Sequence, residues 1–131
     1  SETDLAPEAA EWIFQAEAGD PPTVDWLLKA LDQAGLPCIW KTATHRSEGP
    51  RTMCWEGELL AATGVTAGSP AALLVRAYEP IDGAGFGIRL QPRQASGRLD
   101  RRLMRAVTEV VTQGFTGTYL TRETIVSSAE W

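Results

Sequence analysis

One segment of this chain has little choice of local structure. Val24, Leu27, Leu28 and Leu31 recur at i, i+3, i+4 and i+7, which gathers apolar side chains on one side of an α-helix. Thr23 stands just ahead, where a hydroxyl can accept from a first-turn N–H, and Asp25 falls where the helix dipole favours negative charge. Gly35-Leu36-Pro37 closes the segment with a residue that tolerates positive φ and one that cannot continue a helix. The helix predicted over 23–34 is therefore amphipathic, and the rest of the chain must supply an apolar surface for it.

The flanking segments suggest what that surface is. Leu5, Ala9, Trp12, Ile13 and Ala16 recur at helical spacing behind Pro7, which predicts a helix over 7–18 and, with the next one, an N-terminal helical hairpin. Cys38 to Thr44 and Arg51 to Glu56 read as strands joined by the polar turn His45-Arg46-Ser47-Glu48-Gly49-Pro50. Gly85 to Leu90 alternates, with Phe86, Ile88 and Leu90 on one side and Gly85, Gly87 and Arg89 on the other. Its partner is the strand expected over 71–78, with 79–84 as the hairpin loop. Leu99, Leu103, Ala106, Val107, Val110 and Val111 place a helix over 98–113, capped by Ser96 or Gly97 and ended by Gly114-Phe115 in a Schellman-type turn. Thr116 to Val126 adds a further strand. Residues 57–64, 71–78 and 121–130 carry both helical and extended signals.

The expected fold is α+β: an N-terminal helical hairpin, a mainly antiparallel sheet of four to five strands, and one long helix from the C-terminal half packed on the sheet. Residues 1–131 form one domain, with 1–5 and 127–131 as frayed ends. At 131 residues such a domain buries roughly 70% of its unfolded surface and needs no metal or disulfide staple.

Charge narrows the partners. The net charge is −5, which disfavours general nucleic-acid binding, since phosphate neutralisation supplies most of that affinity. The acidity is local: residues 1–36 hold eight acids and one base, whereas residues 89–105 hold six arginines and one acid. No apolar run approaches the roughly 18 residues needed to span a bilayer, and no basic start leads into an apolar segment, so neither a membrane span nor a signal peptide is visible. Two cysteines, Cys38 and Cys54, are too few for a disulfide scaffold and read as reduced thiols in a cytoplasmic protein.

Several groups are candidates for chemistry. Arg98, Arg101, Arg102 and Arg105 share a helix face near its N-terminus, with Arg89 just ahead in sequence. Guanidinium forks there suit carboxylate or phosphate, although pairing with the chain's own acidic N-terminal helices, or a solvated helix face, gives the same pattern. Gly83-Ala84-Gly85-Phe86-Gly87 lacks the G-x-G-x-x-G spacing and leads into a strand, so it reads as a turn with close approach by Trp40, Trp55 or a ligand. His45 with Cys38 and Cys54 lacks metal-ligand spacing, so neither metal nor cofactor is expected. Glu56 and Glu58 share a strand face, and Glu79 and Asp82 share a loop. They are ordinary surface acids unless burial separates their ionisation. No G-x-S-x-G supports a hydrolase.

Five of the ten aromatic residues are tryptophan. Trp12 reads as core. Trp26 lies off the main helical stripe, and Trp40 and Trp55 fall on adjacent strands as a cross-strand pair, so these three are candidate contact residues. The leading reading is a small acidic cytoplasmic protein-binding domain of adaptor, chaperone, inhibitor or immunity type, without catalysis. Its partner is another protein, and a homodimer is compatible. The alternative is an α+β domain or enzyme that holds an anionic small molecule in a Trp-lined pocket with arginine contacts.

Overall fold

The computed structural model describes residues 11–42, 52–61, 72–92 and 98–122, with 98–101 and 120–122 as backbone. In chain order the elements are β1 (Glu11–Ala16), α1 (Val24–Gln33), β2 (Cys38–Thr42), β3 (Met53–Ala61), β4 (Ala72–Tyr78), β5 (Gly87–Pro92), α2 (Arg98–Gly114) and β6 (Gly117–Arg122). The strands form one sheet of order β2-β3-β4-β5-β1-β6, antiparallel throughout.

This corrects the expected architecture at three points. The segment read as the first helix holds strand β1, so there is no helical hairpin. Among the described residues the sheet has six strands rather than four to five. Helix α2, at 17 residues, makes fewer than about five turns, an ordinary globular length rather than a long helix. The first error has a clear cause. Trp12, Ile13 and Phe14 are all buried, because β1 lies in the sheet interior and is covered on both faces. A strand buried on both faces loses its period-two signature and can imitate a helical stripe.

The topology explains the placement of the helices. Alternating strand directions across the sheet make β1 parallel to β2, and β5 parallel to β6, though neither pair is adjacent. Each helix is therefore a crossover between parallel strands. The two crossovers run in opposite directions across the sheet from oppositely directed strands, so a common right-handed sense puts both on one face. That is where they lie. Leu27 and Leu31 from α1, and Leu103, Met104, Val107, Val110 and Val111 from α2, share one core with Trp12, Phe14, Leu59, Leu73, Val75, Ile88 and Leu90 from the sheet.

Local signals at α1 act as expected. The Thr23 hydroxyl accepts from the Trp26 N–H at 3.1 Å, and Gly35 takes φ +88° after the last turn. Gly114 at the end of α2 behaves differently from a Schellman glycine, because its φ is not positive. Its use is space: a Cβ there would lie 2.8 Å from Trp26 Cζ2. Trp26 and Phe86 each pack on Phe115 with ring centroids 5.0 Å apart, tying α1 and the β4–β5 loop to the end of α2.

The ambiguous segments resolve in part. Residues 57–61 and 72–78 are strand, as are 121–122. The expected tight hairpin between 38–44 and 51–57 is shifted: Cys38 pairs with Ala61 and Thr42 with Gly57, so β2 meets the second half of β3. The turn over 45–50, the cap at Ser96 or Gly97, and both chain ends lie outside the described residues.

Candidate functional site

Two features stand apart from the helical core. The first is a row of charges on the sheet face away from the helices. Glu56 on β3 pairs in register with Arg76 on β4, which pairs with Arg89 on β5. Arg89 lies opposite Ile13 on β1, and Glu11, two residues earlier, shares that face. Arg76 forms an ion pair with Glu56, and Arg89 with Glu11. Both acids are buried, Glu11 at 0% and Glu56 at 4% relative exposure. Burial alone would weaken Arg76's hold on its proton. The hydrogen bond and charge of Glu56, then those of Tyr78, outweigh it, so Arg76 stays protonated beyond the ordinary guanidinium range.

The order acid, arginine, arginine, acid is electroneutral. The two facing guanidinium groups would repel, but each has a carboxylate beside it. This arrangement is a cross-strand clamp. It leaves no surplus positive charge to hold an anion.

The second feature is the outer edge of the sheet at β2. Trp40 and Trp55 lie side by side on the helix-bearing face, edge to face, with centroids 5.4 Å apart at 87°. Each indole N–H has a partner: Trp40 Nε1 donates to Thr42 Oγ1 at 3.0 Å and Trp55 Nε1 to the Pro22 carbonyl at 3.2 Å. The Trp40 ring sits over Gly57, where a Cβ would lie 2.3 Å from Trp40 Cζ2. On the opposite side of β2, Ile39 is 57% exposed and Lys41 is exposed beside it. Ile39 and Tyr119, on the two edge strands, are the exposed large apolar residues among those described.

The structure separates several groups that the sequence placed together. Arg89 belongs to the buried clamp, not to the helical cluster. Arg98 and Arg101 fall in the first turns of α2, Arg102 is exposed and Arg105 half-buried. Trp26 packs at Gly114, twelve positions from Arg102, or about 18 Å along the helix axis. Trp55 bonds to Pro22, just ahead of α1, at the same end of the molecule as Trp26. The close approach at Gly85 comes from the Ala18 backbone and not from Trp40 or Trp55, since a Cβ there would lie 2.5 Å from the Ala18 carbonyl carbon. Glu58 is half-exposed opposite Lys41, and Glu79 and Asp82 are exposed.

Cys38 and Cys54 are thiols, set apart by the β2–β3 register, which puts Cys38 opposite Ala61. Burial pushes the Cys38 thiol up to about 11. Its folded-state value thus lies above the unfolded one, so the favourable term is complete below about pH 9 and is lost as pH rises towards 11. At pH 8, iodoacetamide should label exposed Cys54 well before Cys38 in the folded protein; mass mapping after a time course would show the order. Equal labelling rates would contradict the burial of Cys38. His45 lies outside the described residues, and among the described residues no group of three or more His, Cys, Asp or Glu is placed to hold a metal. No helix among them is long and apolar enough to cross a membrane.

The fold and site together define an open antiparallel α+β sandwich with a neutralised interior clamp and an apolar sheet edge. No protein-family model, curated protein or solved structure matches this chain.

Proposed function

We propose that this chain is a non-catalytic protein-binding domain of adaptor, chaperone, inhibitor or immunity type, and that it makes its contact through the outer edge of β2. The observation that carries the reading is Ile39, an aliphatic side chain 57% exposed on an edge strand whose other side bears the half-buried Trp40, packed against Trp55 of β3. Aromatic and aliphatic groups that keep residual exposure beside unpaired backbone are typical anchors for a second protein. Two reduced thiols suit a cytoplasmic setting. The small-molecule reading has less support: the arginines nearest the sheet interior, Arg76 and Arg89, are each committed to a carboxylate.

The test is site-specific photocrosslinking in extract of the source cells, with a diazirine amino acid replacing Ile39 or, as a control, the exposed Gln113 on α2. Discrete protein adducts, with another chain or with a second copy, should form from position 39 and not from 113. Adducts equal at both positions, or none at 39, would overturn the proposal.

A further inference from the structure

We infer that the partner at the β2 edge includes a second copy of this chain, paired antiparallel strand to strand about Trp40. The inference rests on the reading above in one respect, that this edge is a protein contact. Among the described residues β2 has one strand neighbour, β3, so its outer side presents main-chain donors and acceptors that only an extended backbone satisfies in series.

The five residues of β2, Cys-Ile-Trp-Lys-Thr, are self-complementary in one register. Antiparallel pairing about Trp40 sets Ile39 of each copy opposite Lys41 of the other, and Cys38 opposite Thr42. The two lysines do not face each other, and each aliphatic stem covers an isoleucine while its ammonium stays in water. On the helix-bearing face the two Trp40 residues become cross-strand neighbours. The Trp40–Trp55 pair of each copy, edge to face at 5.4 Å, then flanks the two-fold axis, with each Trp40 ring leaning over its own Gly57. Two six-stranded sheets merge into one, with the isologous contact that a two-fold axis requires. Five residues bury little area, so the dimer is weak and exchanges readily.

Sedimentation equilibrium of the purified full chain, from about 1 μM to about 1 mM, reads this directly. The mass should rise with concentration from 14.2 kDa towards twice that value. Ile39→Lys, at an exposed position that leaves the fold intact by circular dichroism, sets like charges opposite each other twice per dimer. It should weaken association by about tenfold or more. Ile39→Glu instead places a carboxylate opposite Lys41 and should keep association within about threefold of the parent. A chain monomeric at every concentration overturns the inference, as does association unchanged by Ile39→Lys or lost equally in both variants. If the purified chain stays monomeric while position 39 crosslinks to another protein in extract, the edge remains a protein contact and self-pairing alone fails.

Discussion

Arg89→Met should destabilise the domain by about 3–5 kcal/mol, because it takes away the guanidinium that faces a carboxylate buried in the sheet. The Glu11 side chain is 1% exposed and that of Arg89 15%, so water does little to screen the loss. Against a total stability of roughly 5–15 kcal/mol, this leaves a marginal fold. The double variant Glu11→Leu with Arg89→Met should recover most of the deficit, since a buried pair can be replaced by apolar groups of similar volume at little cost. Guanidinium chloride unfolding followed by tryptophan fluorescence gives the comparison. A cost below about 1 kcal/mol for the single variant, or no recovery in the double, would mean that Arg89 is not held for the strand pairing. Recovery would identify the clamp as architecture.

Gly57→Val is the second large effect. A Cβ at this position would approach Trp40 Cζ2 at 2.3 Å, Trp40 Cε2 at 2.6 Å and the Lys41 carbonyl oxygen at 2.7 Å. An indole can rotate away, but the carbonyl belongs to the neighbouring strand, so β2 itself must shift. Overpacking of this kind typically costs about 1–3 kcal/mol, and the involvement of main chain places this case at the upper end. The near-ultraviolet circular dichroism of the Trp40–Trp55 pair should change with it, and any contact made through the β2 edge should weaken. Parental stability with an unchanged aromatic spectrum would show that β2 does not pack closely over Gly57.

How much of this was legible in the sequence depends on what each segment buries. Helix α1 was readable because one stripe faces the sheet, a threonine caps it and Gly35 ends it; each signal is local. Strand β1 was not readable, because Trp12, Ile13 and Phe14 are buried on alternating faces and leave no polar side to mark the period. Only Glu11 and Gln15 betray the second face, and both looked like the polar side of a helix. Pairing of the arginines with N-terminal acids is one reading of the arginine run, and Arg89 with Glu11 is such a pair, made between two strands rather than between helices. Trp40 and Trp55 could be anticipated as neighbours on adjacent strands. The shifted register of β2 and β3 could not, because it depends on Trp40 finding the one position, Gly57, without a side chain. The arginine run was visible as composition, but composition does not assign Arg89 to a strand and Arg102 to a helix surface.

The position of β1 between β5 and β6 also bears on the order of folding. Its partners come from far along the chain: Gln15 donates to the Gly85 carbonyl 70 positions away, and Glu11 meets Arg89 78 positions away. Strands β2 to β5 are instead sequential neighbours, with loop closures that cost less entropy. Strand β1 precedes the other described strands in the chain yet is among the last that can be seated, because its slot exists only after β5 and β6 have been made. Until then its apolar face, including Trp12 and Phe14, has no sheet to join, and the rate of reaching the native state is tied to that long-range closure.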